Sequence, residues 1–350
     1  MRKPFLTIAL IVVMIFAMSA GVFAGEFSDI EEGAWYEKYV EDAVDAGIAK
    51  GYPDGTFRPE GSVTRAEMVS MINRALDLKF QKDNTFTDSE NGDWYDESLN
   101  LAAYAQYVNG YPDGSFGADR TITRQEAATI IGRVITQGDY EGISGLLSFK
   151  DYDDIADWAR EAIGLAYNKD YFRGYPDMYF MPEGELKRSE AVAMVMRIYN
   201  GETIIRDKVS LTSNADALKG KIYTGGVEVD EATHFADFTV DDCKIFSPMT
   251  INDGFNSDTV SFTDSVICEL YQKDKDGVSL YLNGDTQIYD LYIEVAPMCI
   301  ALGTATVLTI PSLIAKMTLT TSASILAVMP VSLILKARFF SAGMDKLPTK

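Results

Sequence analysis

The sequence predicts a multidomain chain with an all-α part followed by an all-β part. Two observations support this division. A seven-residue segment recurs three times within the first 200 residues, each time between two helical patterns. After that point the helical periodicity ends, and short runs of alternating apolar residues begin, separated by turn sequences. We expect three helical repeats that share one core, then a parallel β-solenoid or, failing that, a β-sandwich.

The first 24 residues have the layout of a secretory signal peptide. Arg2 and Lys3 precede a long uncharged run, and small residues stand at positions −3 and −1 of a cleavage point before Gly25. The alternative is an uncleaved membrane anchor. We expect an exported protein and exclude this segment from the fold.

Charge and composition exclude several classes of function. The formal net charge is −21, and a chain this acidic is not expected to bind nucleic acid. The single histidine is expected at the surface and the three cysteines in a core, in no metal-type spacing. They are His234, Cys243, Cys268 and Cys299. We therefore predict no catalytic residue, no metal site and no cofactor.

Three copies of one motif keep a common register. The segments GYPDGTF, GYPDGSF and GYPDMYF begin at Gly51, Gly110 and Gly174. A tryptophan stands sixteen residues before each glycine, an arginine stands fourteen residues after it, and a Phe-x-Asp motif lies upstream of the tryptophan. These residues are Trp35, Trp94 and Trp158; Arg65, Arg124 and Arg188; and Asp29, Asp88 and Asp151. Such agreement indicates three structural repeats.

Each copy is predicted to be a helix, a turn and a second helix. The Gly-Tyr-Pro-Asp-Gly segment is typical of a turn, because proline presets φ and the second glycine adopts a positive φ. Apolar residues follow each arginine at helical spacing, as in Met68, Met71, Ile72 and Ala75. Two helices cannot bury such a stripe alone, so the three copies should share one core.

These motifs, in this order, resemble the S-layer homology domain in its usual tandem triplet. The resemblance covers residues 26–200 and implies a pseudo-threefold, three-pronged α-helical domain. Such domains anchor exported proteins non-covalently to secondary cell-wall polysaccharides of Gram-positive-type envelopes, often pyruvylated ones. The resemblance therefore implies a secreted protein of the cell wall or cell surface, with peptidoglycan as the other candidate partner. It also places the tryptophans beside grooves between repeats.

The resemblance and the change in composition set the expected domain boundaries. The β-rich part resembles right-handed β-helical segments that follow such triplets in other exported proteins. The predicted domains are a signal peptide at 1–24, repeats at 25–80, 81–142 and 143–200, and a β-solenoid-like domain at 201–350.

An arginine in the first turn of each second helix is unfavourable, because a cation there opposes the helix dipole. Thr64 with Glu67, and Thr123 with Glu126, are predicted capping boxes, which explains those residues but not the arginines. We expect each guanidinium and the free N–H groups of the helix N-terminus to hold a pyruvyl ketal or a phosphate. The alternative is a pair with an aspartate of the domain.

The predicted polymer-binding residues are therefore the three arginines, the three tryptophans and the three aspartates of the repeats. The tryptophans have a second interpretation, as core residues at the helix starts. Repeat three departs from the pattern, because Met178 replaces the second glycine and Lys187 replaces the capping threonine. We expect its cap to be lost and its turn to change.

Two uncharged runs near the C-terminus, at 295–315 and 317–335, are long enough for transmembrane helices. They also continue the strand pattern, so we favour a solenoid core, with a membrane-embedded tail as the alternative. A further alternative is a polysaccharide-active enzyme with its site on the solenoid. Aspartates in turn-like positions would serve it: Asp241, Asp242, Asp253, Asp274 and Asp276.

Overall fold

The computed structural model describes most of the chain in several segments. They are residues 27–90, 92–136, 142–211, 218–230, 238–252, 259–273, 279–293, 300–302 and 306–313. The predicted signal peptide, His234, Cys299 and the second uncharged run of the tail lie outside the described residues.

Six α-helices, two for each repeat, form the first part of the described chain. They are α1 (Glu37–Asp45), α2 (Arg65–Leu76), α3 (Asp96–Tyr104), α4 (Arg124–Val134), α5 (Asp157–Asn168) and α6 (Arg188–Gly201). Equivalent residues of the second helices, Ile72, Ile131 and Val195, are buried in one common core. The predicted sharing of one core by three repeats is confirmed.

A closed ring of backbone hydrogen bonds joins the three repeats. The amide of Val63 donates to the carbonyl of Leu186 at 3.0 Å, that of Leu186 to Ile122 at 2.9 Å, and that of Ile122 to Val63 at 2.9 Å. Each of these residues lies two positions before the arginine of its repeat, and all three side chains are fully buried. The ring gives the triplet a pseudo-threefold arrangement that no single repeat can complete.

The Gly-Tyr-Pro-Asp turn has the same conformation in all three repeats. Gly55 and Gly114 have φ of 80° and 86°, and Met178 has φ of 66°. The amide of Met178 donates to the carbonyl of Tyr175 at 3.0 Å, which closes the turn. The expectation that the third turn must change is therefore wrong. The methionine instead adopts the left-handed conformation, which is unfavourable for a residue with a Cβ.

We expect Met178→Gly to raise the free energy of unfolding by about 1 kcal/mol, because glycine adopts positive φ without a steric penalty. Urea denaturation measures this change. Asp177→Gly is the matched control, because its φ is not positive and glycine there only adds freedom to the unfolded chain. A fall in the free energy of unfolding for Met178→Gly would show that the methionine side chain stabilises the fold by more than its left-handed backbone conformation destabilises it.

Thirteen strands follow in the described part of the chain. They are β1 (Ile204–Ile205), β2 (Val209–Leu211), β3 (Leu218–Lys219), β4 (Ile222–Tyr223), β5 (Val227–Val229), β6 (Phe238–Asp241), β7 (Lys244–Ile251), β8 (Thr259–Thr263), β9 (Val266–Gln272), β10 (Ser279–Asn283), β11 (Gln287–Ile293), β12 (Ile300–Leu302) and β13 (Thr306–Leu313).

These strands form two sheets in which every pairing is parallel. One sheet has the order β1-β4-β7-β9-β11-β13, with β5 also paired to β7 and β2 paired to β5. The other has the order β12-β10-β8-β6-β3. Register partners are regularly spaced along the chain: Leu218 pairs with Val240, and Phe238 pairs with Val260. Each turn of the chain therefore lies on the previous one, which is the predicted parallel solenoid rather than a sandwich.

The solenoid core consists of stacks of aligned apolar side chains. Val240 aligns with Phe262 and Phe262 with Leu282, and all three are fully buried. Part of the first uncharged run of the tail forms β12 and β13, which pair with β10 and β11. Within the described segments, no helix has both the length and the apolar character needed to cross a membrane.

The solenoid packs against the helical triplet through one of its sheets. Phe246 and Cys268 belong to the same buried cluster as the helices. The ring of Phe246 lies 6.5 Å from that of Tyr107, centroid to centroid. The Tyr104 hydroxyl donates to Glu269 at 3.1 Å. The two parts are therefore joined by a shared core and by polar contacts.

Candidate functional site

Three grooves lie where the repeats meet, and each is lined by residues of all three repeats. We name each groove after its buried arginine. The Arg65 groove also contains Tyr111, Glu126, Arg133 and Trp158; the Arg124 groove contains Tyr175, Glu190, Arg197 and Trp35; the Arg188 groove contains Lys50, Glu67, Arg74 and Trp94. Their volumes are about 460, 380 and 300 Å³ in that order.

The arginine that begins each second helix is buried and points into the next repeat. The Arg124 guanidinium lies 2.9 Å from the Glu190 carboxylate, and its Nε donates to the carbonyl of Phe180 at 2.8 Å. The third nitrogen donates to the carbonyl of Arg173 at 3.1 Å. The guanidinium also lies over the ring of Tyr175, 4.3 Å from its centroid. All three nitrogens of this guanidinium therefore contact repeat three.

The other two arginines repeat this arrangement. Arg65 lies 3.4 Å from Glu126, and Arg188 lies 3.1 Å from Glu67. In each pair the carboxylate belongs to the next repeat in a closed cycle, with repeat three pairing to repeat one. The structure thus gives each arginine an internal partner, as the alternative interpretation expected, but that partner is a capping glutamate and not an aspartate.

Each capping glutamate serves two repeats at once. One oxygen of Glu67 accepts from the amide of Thr64 at 2.9 Å, and the threonine hydroxyl accepts from the amide of Glu67 at 3.2 Å. The other oxygen accepts from Arg188 at 3.1 Å. Thr123 and Glu126 form the same box. In repeat three the Lys187 side chain has no acceptor, so only half of the box remains.

The first two N–H groups of each second helix already have hydrogen-bond partners in another repeat. In α2 the amide of Arg65 donates to the carbonyl of Arg120 at 2.9 Å, and that of Ala66 to Ala118 at 3.0 Å. The next amide donates to the capping threonine. The first two amides of α4 and α6 have equivalent partners, and the third amide of α4 donates to Thr123, whereas the Glu190 amide of α6 has no side-chain cap. For the amides that the ring of repeats and the threonine caps already use, the expectation that they hold an anion is wrong.

The three predicted aspartates fix the loops that follow the turns. Asp29 accepts from the amides of Phe57 and Arg58 at 2.8 and 2.7 Å. Asp88 and Asp151 make the same pair of bonds in their own repeats. None of the three aspartates is among the residues that line the three grooves.

The three tryptophans lie at the surface and line the grooves. Trp35, Trp94 and Trp158 are 58%, 61% and 58% exposed, so they are not core residues. Tyr36 and Tyr95 support the first two, edge to face, at 5.5 and 5.4 Å between ring centroids. An exposed, supported indole face in a groove is suited to packing on an apolar ring face of a ligand.

Sequence reasoning missed a second arginine in every groove. Arg74, Arg133 and Arg197 each stand nine residues after the first arginine of their repeat, so the same register that revealed the motif could have revealed them. Burial and then the neighbouring Arg65 lower the pKa of Arg133. Burial and then Arg188 lower the pKa of Arg74 in the same way. Like charges from two repeats therefore converge on one groove, which favours an anion there.

The Arg188 groove differs from the other two in the hydrogen bonding of the Nε atom of its first arginine. The Nε atoms of Arg65 and Arg124 each donate to a phenylalanine carbonyl at 2.8 Å. The Nε of Arg188 is buried and has no hydrogen-bond partner among the described residues. Its groove is also the smallest of the three.

The aspartates considered for an enzyme site fall mostly outside the described residues. Asp241 lies 3.0 Å from Lys219, and Asp242 occupies a corner of the solenoid with φ of 50°. Across the described segments, no group of three or more His, Cys, Asp or Glu side chains is placed to hold a metal ion.

Comparison with known protein families identifies the three repeats. The family model of the S-layer homology domain matches residues 26–69, 85–128 and 148–192. The chain contains three S-layer homology domains. Each match extends from the Phe-x-Asp motif into the second helix of its repeat, so the matched segments include the tryptophan and the first arginine of each groove. The second arginines, Arg74, Arg133 and Arg197, lie beyond the ends of the matches.

Several curated proteins share these S-layer homology domains. A cellulosome-anchoring protein of Acetivibrio thermocellus is 35% identical over 43% of this chain and 35% of its own length. Exoglucanase XynX of the same organism is 33% identical over 48% of this chain and 16% of its own length. The surface-layer 125 kDa protein of Lysinibacillus sphaericus is 26% identical over 72% of this chain and 19% of its own length. The chain thus matches about a third or less of each relative.

These relatives include both enzymes and non-enzymes, and the S-layer homology domain itself is not catalytic. The three domains and the surface-layer and anchoring relatives support a location at the cell wall or cell surface.

Proposed function

We propose that the three grooves bind an acidic polysaccharide of the cell wall and thereby anchor an exported protein that displays the solenoid. One observation carries this proposal. Each groove combines an exposed tryptophan from one repeat with two arginines from the other two repeats. An aromatic face beside a cationic pair suits a sugar ring that bears a negative charge.

The two arginines of a groove have different proposed roles. Arg65, Arg124 and Arg188 are held by glutamates and carbonyls of the next repeat, so they fix the groove wall and supply positive potential. The second arginines are less constrained: Arg74 makes one hydrogen bond, to the Ile48 carbonyl at 3.2 Å. We assign direct contact with the anionic group to Arg74, Arg133 and Arg197. A guanidinium binds a carboxylate or phosphate through two parallel hydrogen bonds.

A pyruvylated secondary cell-wall polysaccharide is the partner we propose, with peptidoglycan as the competing one. The pyruvyl ketal places a carboxylate directly on a sugar ring, and the grooves offer a guanidinium and an indole side by side. The protein as a whole carries a net charge of −21, so a cationic groove is a local feature that the rest of the surface does not provide. The anchoring and surface-layer relatives are in keeping with this partner.

Co-sedimentation with purified cell-wall sacculi tests this function. We expect the protein to bind intact sacculi and to lose binding after acid removal of the secondary polymer. The variant Arg74→Gln, Arg133→Gln, Arg197→Gln should bind at least about tenfold more weakly, because each groove loses its anion contact.

The matched control is Lys38→Gln, Lys79→Gln, Lys208→Gln, which removes the same charge away from the grooves and should bind normally. Undiminished binding to stripped sacculi would instead indicate recognition of peptidoglycan. Equal loss in both triple variants would indicate non-specific charge attraction.

A further inference from the structure

A fourth cavity, the interdomain cleft, lies between the helical triplet and the solenoid. Its volume is about 400 Å³. Arg133 and Trp158 line both this cleft and the Arg65 groove, so the two cavities are adjacent. The solenoid contributes a lysine, a glutamine and a tyrosine to the cleft wall: Lys244, Gln287 and Tyr289. The Arg124 and Arg188 grooves are lined by residues of the triplet alone.

Two cations of the cleft, Arg133 and Lys244, form no direct ion pair with another described residue. In the segments that the structure describes, no carboxylate lies within ion-pairing distance of the Arg133 guanidinium or the Lys244 ammonium. Burial lowers the pKa of Lys244 more than its nearby carboxylates, such as Asp242, raise it. One carboxylate, Glu161 of α5, also lines the cleft and already has an interaction of its own. Holding two partly buried cations without partners is unfavourable unless an anionic ligand enters.

The remaining polar groups of the cleft are suited to sugar hydroxyls. The Tyr289 hydroxyl donates to the amide oxygen of Gln287 at 2.8 Å, and both side chains line the cleft, so its wall presents a hydroxyl and an amide group. Burial raises the pKa of Tyr289, so the hydroxyl stays protonated at neutral pH. Trp158, between the two cavities, exposes most of its indole to solvent.

We propose that the interdomain cleft extends the Arg65 groove into a longer site, in which the solenoid helps to bind a second, anionic sugar of the same polysaccharide. This rests on the proposed function of the grooves. Trp158 would lie between the two sugars, Arg133 would contact the first anionic group, and Lys244 the second. The β-rich domain is then part of the anchor and not only the domain that it displays.

The test isolates the Arg65 groove in a Trp35→Ala, Trp94→Ala background of the full protein. The probes are fragments of one and of two repeating units from a pyruvylated secondary cell-wall polysaccharide, measured by calorimetry. We expect the two-unit fragment to bind at least about tenfold more tightly than the one-unit fragment. Adding Lys244→Gln should remove this preference and leave binding of the one-unit fragment unchanged.

Lys208→Gln is the matched control, because Lys208 pairs with Glu228 on the same domain, away from the cleft. An unchanged two-unit preference in Lys244→Gln would overturn the extension while the grooves keep their proposed function. Absence of binding for both fragments, together with no binding of the unaltered protein to sacculi, would overturn the proposed function itself.

Chemical treatment of the two-unit fragment identifies the anionic group. If mild-acid removal of pyruvate abolishes the preference for the two-unit fragment, the group that Lys244 contacts is a carboxylate. If removal of phosphate abolishes that preference, the group is a phosphate. A preference that survives both treatments would overturn the requirement for an anion.

Discussion

Arg124→Met should lower the free energy of unfolding by about 3 kcal/mol, because it removes one partner of a buried ion pair. The Arg124 and Glu190 side chains are only 4% and 13% exposed, and two backbone carbonyls also lose their donor. Removing the cation from the helix N-terminus returns only about 0.5 kcal/mol. The contacts with the next repeat therefore outweigh the dipole, which explains why an arginine occupies this unfavourable position.

Urea denaturation measures this loss, and Arg173→Met is the matched control. Arg173 pairs with Asp170 in the same repeat, but both side chains are 61% exposed, so we expect a change below about 1 kcal/mol. A double-mutant cycle with Glu190→Gln isolates the pair itself. Equal effects for the buried and the exposed arginine would contradict a structural role for the cyclic arginine–glutamate pairs.

Trp35→Ala, Trp94→Ala, Trp158→Ala should abolish binding to sacculi with little loss of stability. Truncating a central aromatic residue of a binding site costs about 2 kcal/mol, or about thirtyfold in affinity, at each groove. Loss at all three grooves also removes the gain from simultaneous binding to one polymer. The exposure of the three indoles limits their contribution to folding.

Co-sedimentation and thermal unfolding together check this result. Leu147→Ala is the control, because Leu147 is 62% exposed and lines none of the three grooves. We expect it to leave binding unchanged. Normal binding by the triple tryptophan variant would exclude the grooves as the polymer site. A large fall in its melting temperature would assign the tryptophans a structural role instead.

The results expected for Arg124→Met and for the triple tryptophan variant assign different roles to residues of the same motif. Arginines at the first helical position contact the next repeat, while the tryptophans and second arginines line the grooves and are the proposed ligand contacts. A variant that lacks both Arg65 and Arg124 would lose binding through unfolding. Its loss of binding could therefore not by itself identify the anion contact. The Arg74, Arg133 and Arg197 positions provide that test without disturbing the ring.

Local features of the chain were predictable because short-range physics determines them. Helical periodicity placed the apolar stripe of α2, and a threonine three residues before a glutamate identified its capping box. The alternating strands and their spacing were sufficient to predict a parallel solenoid. Each of these patterns depends on residues a few positions apart, where side-chain direction follows directly from backbone geometry.

Departures in the third repeat show the limit of this reasoning. Sequence alone assigned both departures, Met178 and Lys187, to repeat three, with a lost cap and a changed turn as the expected result. In the structure Arg188 belongs to one groove and the loop around Tyr175 to another, so the departures are shared between grooves. The turn at Met178 also persists, because its hydrogen bonds outweigh the backbone strain.

By itself the sequence determined the three repeats, their helices, two capping boxes and the parallel solenoid. It also determined the equal spacing of the three tryptophans within the repeats. Only the tertiary structure decided that Arg124 pairs with Glu190, that each groove takes residues from three repeats, and that Lys244 and Arg133 line one cleft. The physical reason is ring closure. Backbone hydrogen bonds among Val63, Ile122 and Leu186 bring distant segments together, and no local periodicity specifies which side chains then meet.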